Sequence, residues 1–225
     1  MNHFLAIQHT YETVEIGFFK AEKLIARITE NKKLASKKTV ALVNSLLRDN
    51  SFSFDQLSFF ATNQGPGPFT TLRVVIATIN GLAFAAQKPL IGVDGLDALL
   101  DEYKDKKSYV AIALLNAYGG DVYFGIDQGK KINRIKGYEN IESLLARLKE
   151  QFSTKTVRFI GQAVPIHLEQ IKKYFDPQTV IVPDPLPKHC SIEQVGTIAW
   201  KKWNEQEGLV KQIFPHYLKS MAIGK

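Results

Sequence analysis

Apolar residues dominate the first strand-like segments of the chain. Phe4 to Gln8 is an apolar run of buried character, Glu12 to Phe19 sets Val14, Ile16 and Phe18 on one face, and Leu24 to Thr29 continues the alternation. Three strands joined by short turns are predicted. The spacing then becomes helical: in "ASKKTVALVNSLLRDN", Val40, Val43, Leu46 and Leu47 recur at intervals of three and four. "DQLSFFATN" reads as a fourth strand, a second helix spans about Thr71 to Ala86, and "KPLIGVDG" makes a fifth strand.

The same order recurs in looser form. "YVAIALLNA" is an apolar strand, "DVYFGIDQGKKINRIKGY" a hairpin turning around Gln128 to Lys131, and Ile141 to Phe152 a helix with Leu144, Leu145 and Leu148 inward. "TVRFIG" follows as a strand, "AVPIHLEQIKKYF" as a helix and "TVIVPD" as a strand. A last helix starts near Ser191, where Ser191 and Gln194 have capping-box spacing. A three-stranded meander followed by helix, strand, helix and strand, and then repeated, is the actin-like or sugar-kinase plan. The expected fold is therefore α/β, with two lobes that each hold a mixed sheet and flanking helices. The charged segment "DEYKDKKS" marks the boundary, giving lobes at 1–103 and 104–225, the last helix packing back on the fold.

Composition narrows the function. At 225 residues and 45% hydrophobic content the chain can bury a full core. A single cysteine, Cys190, excludes an internal disulfide framework and a cysteine-based zinc site, which suits a reducing compartment. No uninterrupted apolar segment approaches the roughly 18 residues that cross a bilayer, and "MNHFLAIQHT" runs into a strand without a basic leader or cleavage site. The expectation is a cytoplasmic protein with no membrane partner. The net charge of +7 is scattered through "ENKK", "SKK", "YKDKK", "QGKK" and "IKK", the pattern of solvated surface more than of a nucleic-acid stripe.

The candidate chemistry lies in "NQGPGPFTTLRVV", Asn63 to Val75. Gly65 and Gly67 allow positive φ and close backbone approach, and Thr70 and Thr71 open a helix whose amides can hold an anion. No Gly-Lys-Ser/Thr follows, so this is not a Walker loop. A ligand-free strand-to-helix turn accounts for the pattern equally well.

"GPGPFTTLRVV" followed by "NGLAFAAQKPLIGVDGL" resembles the "GPGSFTGLRIG…QGLAF…PVVGVSSL" signature of the TsaB (YeaZ) family. "LAIQHT", "LLNAYGGDVYFG" and "PHYLK" resemble that family's "LAIDTS", "IDARMGEVYWA" and "PVYLR". The resemblance implies a dimerisation subunit of the bacterial tRNA threonylcarbamoyladenosine machinery, paired with a TsaD-like transferase as a heterodimer. It further implies a TsaE-like ATPase as an associate, a homodimer when isolated, and tRNA reached through the complex. There are departures from the actin-like pattern. Gln8 stands where phosphotransferases of this fold carry an acid, Asn116 where the family shows aspartate, and Thr71 where it has a second glycine. The histidine pair of the transferase has no counterpart, since no two of His3, His9, His167, His189 and His216 stand four apart. No catalytic residue, metal site or cofactor is expected, with ATP or ADP at the subunit junction as the alternative.

Other residues read plainly. His9 and Thr10 face the glycine loop, either as a packed turn or as ligand contacts; Cys190 is an idle thiol before a capped helix; Asp94 and Asp97 cap a helix; and Trp200, Trp203 and Tyr217 are apolar anchors. The second helix is apolar nearly all round, so it needs more cover than one sheet gives. A partner interface is expected on Arg73, Ile76, Ala77, Asn80 and Phe84, beside Thr39, Val43 and Leu46 of the first helix. The opposite face, Val75, Ile79, Leu82 and Ala86, is the other choice. The functional alternatives are a small ATP-dependent phosphotransferase or peptidase-like enzyme, and a structural homodimer.

Overall fold

The computed structural model describes residues 2–104, 109–129 and 134–218. The elements begin β1 (His3–His9), β2 (Thr13–Lys20), β3 (Lys23–Asn31), α1 (Lys32–Asp49), β4 (Phe59–Asn63), α2 (Phe69–Ala86), β5 (Leu90–Val93) and α3 (Gly95–Glu102). They continue β6 (Val110–Tyr118), β7 (Asp121–Asp127), β8 (Ile135–Asn140), α4 (Ile141–Gln151), β9 (Val157–Ile160), α5 (Leu168–Tyr174), β10 (Val180–Ile181), α6 (Ile192–Asn204) and β11 (Leu209–Val210).

The chain divides into one unit of residues 1–98 with 190–216 and another of 99–189 with 217–225. The expected boundary at 103/104 differs in two ways: the division falls inside α3, and residues 190–216 complete the first unit. Residues 105–108 of the charged segment, and residues 130–133 around the expected hairpin turn, lie outside the described residues.

The first unit is a six-stranded sheet in the order β11-β5-β4-β1-β2-β3. β1, β2 and β3 form the antiparallel meander, β1 pairs β4 in parallel and β4 pairs β5 in parallel. β1 lies in the middle and is buried from Phe4 to His9, which is why it reads as an unbroken apolar run. β3 lies at the edge and alternates exposed with half-buried residues. α1 and α2 share the core on one side through Val43, Leu46, Leu47, Leu72, Val75, Ile76 and Ile79, all within 4% of full burial. On the other side Phe4 stacks between Phe19 and Phe59, at 4.7 and 4.3 Å, and α6 lays Trp203 on Phe59 at 4.7 Å. Gly196 lets α6 approach, since a Cβ there would strike the Phe19 ring.

The second unit repeats the topology in a five-stranded sheet, β10-β9-β6-β7-β8, with β6, β7 and β8 antiparallel and β9 and β10 parallel. Leu144, Leu145 and Leu148 of α4 face its core as their spacing predicts. Arg134 donates to Asp127 at 2.8 Å and to Asp101 at 2.6 Å, closing the base of the β7–β8 hairpin. Burial pushes the Asp127 carboxyl up, but the Gly129 amide and Arg134 outweigh it and hold it below its ordinary value.

Local expectations fail where turn chemistry overrides periodicity. A single 3-10 turn, Phe54–Gln56, takes the start of "DQLSFFATN", with Ser53 donating from its N–H and its hydroxyl to Gln56 Oε1. The helix expected over "AVPIHLEQIKKYF" begins only at Leu168, because the His167 amide closes turns onto Ala163 and Val164. In "TVIVPD" only Val180 and Ile181 pair with β9. The 18 residues of α2 are apolar enough on average to cross a membrane by length and composition, although Arg73 and Asn80 interrupt the run. Its Leu72, Val75, Ile76, Ile79 and Ala83 are instead buried in the first unit's core.

His167, 6% exposed, supplies a pH signature in the second unit. Its Nδ1 has no hydrogen-bond partner among the described residues, and burial lowers its pKa against an opposing pull from Glu142. A lowered imidazole contributes stability in full above its unfolded value near 6.5 and loses it as pH falls below that value. Thermal unfolding between pH 7.5 and 5 is expected to show a falling midpoint that flattens in His167→Met. An unchanged pH slope in that variant counts against the assignment.

Candidate functional site

The glycine loop leaves the end of β4 and enters α2, and its shape is set by side chains next to it. Gly65 has φ +100°, which only glycine adopts without strain. Its N–H donates to Asn63 Oδ1 at 2.9 Å, and its carbonyl accepts from the Gly95 N–H at 2.8 Å. A Cβ on Gly67 would collide with the His9 imidazole, so this glycine is required by packing against the end of β1. Pro68 begins α2 without a side-chain cap, Thr70 is exposed and Thr71 half-buried.

Under the loop lies a buried polar cluster. Gln8, fully buried, donates from Nε2 to Glu15 Oε2 at 2.7 Å and to the Cys190 carbonyl at 3.1 Å. Its Oε1 accepts from Asn63 Nδ2 at 3.4 Å and lies 3.6 Å from Cys190 Sγ. An amide fits this place because the cluster demands two donors and an acceptor from one side chain. Cys190 is 1% exposed, as expected of an idle thiol. Thr10 closes the β1–β2 turn by accepting from the Thr13 N–H at 2.9 Å, and Asp94 Oδ1 caps α3 by accepting from Leu96 and Asp97. Asn116 Oδ1 accepts from the Tyr118 N–H at 2.8 Å and so serves its own turn.

The segment after β11 straps the loop to α2. Both polar atoms of the Asn80 side chain grip the backbone of Ile213, at 2.9 Å each, while Gln64 donates to the Phe214 carbonyl at 3.0 Å. The His216 N–H donates to the Gln64 carbonyl, and its Nδ1 lies 3.0 Å from Asp94 Oδ2. The strap gave no sequence signal, since an amide reading a distant backbone leaves no periodic trace.

The expected interface residues separate into two groups. Arg73, Ala77 and Phe84 are exposed on one stripe of α2, with Phe84 at 76%. Ile76, Thr39, Val43 and Leu46 are 0–4% exposed and face the core, which corrects their placement on a partner surface. Asn80 is half-buried and engaged with Ile213. The opposite face, Val75 and Ile79, is buried as well, and Leu82 and Ala86 are partly so. At 100° per residue the exposed stripe runs Thr70, Arg73, Ala77, Gly81, Phe84 and Ala85; sequence reading missed Gly81 and Ala85. A Cβ on Gly81 would meet nothing within 4 Å. Val40 of α1, which shares the helical spacing of Val43, Leu46 and Leu47, is 50% exposed.

Comparison with known proteins gives the arrangement its relatives. The family model for TsaD, tRNA N6-adenosine threonylcarbamoyltransferase, matches residues 24–222. The tRNA threonylcarbamoyladenosine biosynthesis protein TsaB of Bacillus subtilis is 27% identical, covering 75% of this chain and 74% of that protein. Among solved structures, YeaZ from Pseudomonas aeruginosa superposes with a TM-score of 0.75 at 22% identity, over 97% of this chain and all of that one. A Bacteroides thetaiotaomicron protein with an actin-like ATPase fold reaches a TM-score of 0.50 at 6% identity, over 87% and 95% of the two chains.

Two substitutions test the site's construction. Gly67→Ala is expected to lower stability by about 1–3 kcal/mol through overpacking against His9, and the loss should shrink when His9→Ala is added. Equal losses in both backgrounds, measured by urea unfolding, would show that the two residues do not meet. Gln8→Asp replaces two donors with a carboxylate facing Glu15 and a carbonyl, and is expected to cost about 2–4 kcal/mol at neutral pH. Repulsion raises the pKa of the new group in the folded state, so the penalty should diminish as pH falls.

Proposed function

We propose, since this chain belongs to the TsaD family of tRNA N6-adenosine threonylcarbamoyltransferase, that it serves tRNA threonylcarbamoyladenosine biosynthesis as a non-catalytic subunit pairing with a TsaD-type transferase. The observation that carries this reading is the uncovered stripe of α2. Ala77, Gly81 and Ala85 are small and exposed, so another helix can approach closely, and Phe84 stands ready to enter a partner surface. Leaving a phenylalanine in water forgoes roughly 1.5–3 kcal/mol of burial, which a partner recovers. The same stripe carries self-association of the isolated chain.

Gln8 supports a role without chemistry. A neutral amide at the end of β1 offers no charge to a hard cation, and all its polar atoms are engaged within the cluster. The loop does not fit a nucleotide phosphate either, because Asn63 takes the Gly65 amide and His9 lies against Gly67. The loop works as a structural turn that launches α2, and the complex acts in the cytoplasm, reaches tRNA through the transferase and recruits a TsaE-like ATPase.

Purified chain mixed with a TsaD-type partner should form a heterodimer by size-exclusion chromatography and calorimetry. Ala77→Glu should weaken pairing by about 100-fold or more while leaving the unfolding midpoint close to the parent's, since residue 77 is exposed. No pairing by the parent chain, or magnesium-dependent ATP turnover by the chain alone, would overturn the proposal.

A further inference from the structure

Past the end of α2 the sheet edge forms a recess of about 440 Å³. The chain turns there through Gln87, which takes the left-handed conformation at φ 53°, and Pro89 leads into β5. Ala83, Phe84, Leu209 and Val210 line it with apolar side chains, and Lys88 and Lys211 line it as well. Val210 is 41% exposed, and β11 is the terminal strand of the sheet, so one edge of it is unpaired in the sheet. Among the described residues neither lysine closes an ion pair, though Asp55 lies within the field of Lys88. An apolar recess with an open strand edge and two ammonium groups selects an extended segment whose apolar residue is flanked by acids.

Phe84 belongs both to this recess and to the α2 stripe, so the two surfaces are continuous. We infer that the transferase-type partner extends its contact past α2 into the recess, laying an acid-flanked apolar side chain between Phe84 and Val210; this rests on the pairing proposed above. A second copy of the chain is the poorer occupant. In a two-fold dimer whose axis passes through the recess, its own lysines would oppose each other.

The test uses the full chain and the purified partner, with the Kd measured at low and high salt. Lys88→Glu with Lys211→Glu should weaken pairing by about tenfold at low salt, with a smaller difference at high salt. Val210→Ser should weaken it at both. A photo-crosslinker at position 210 should capture the partner, and the captured peptide should carry acidic residues. If the parent pairs while these variants bind with unchanged Kd and salt dependence, the recess inference fails and the α2 pairing stands. Crosslinking only to a second copy likewise overturns it. If the parent does not pair at all, the proposed function fails and takes the recess with it.

Discussion

Burial of β1 on both faces is the constraint from which the first unit follows. A strand enclosed between β2 and β4 has two apolar faces, and each must be covered. α1 and α2 cover one. The other, carrying Phe4 between Phe19 and Phe59, is covered by α6, which returns from residue 192 to do so. Cys190 is brought to Gln8 by that return, and the segment after β11 is brought to Gln64 and Asn80. The polar cluster and the strap are thus consequences of covering one aromatic face.

Much of this was legible in residue spacing. The meander, the helices and the repeated order could be read from alternation and from intervals of three and four, because those patterns report burial directly. Capping by Ser191 and Asp94 was legible for the same local reason. Boundaries failed where a turn competed with a period, as at Phe54–Gln56 and before Leu168. The domain division was misplaced because nothing local in α6 says which sheet its tryptophans meet.

The candidate surface was read at half resolution. A helix apolar on all sides gives no phase, and Ile76 was placed outward although its side chain lies with Leu72, Ile79 and Ala83 in the core. The usable phase is carried by the smallest residues, Ala77, Gly81 and Ala85, and the weak hydrophobicity of the last two hides them from apolar spacing. Arg73 is instructive in another way. Its guanidinium lies 3.6 Å from the Phe69 ring centroid, so the charge on the stripe is already partly engaged and the surface is less polar than composition suggests.

The return of α6 also sets an order of events during synthesis. The second unit lies almost wholly between residues 99 and 189, and so leaves the ribosome before the helix that completes the first. Until residues 192–204 emerge, the Phe4, Phe19 and Phe59 rings have no helical cover, while Val110 to Phe175 already holds a complete core of its own. The part of the chain made first is therefore finished last. For that interval the nascent protein displays an aromatic sheet face, the kind of surface on which chaperones act.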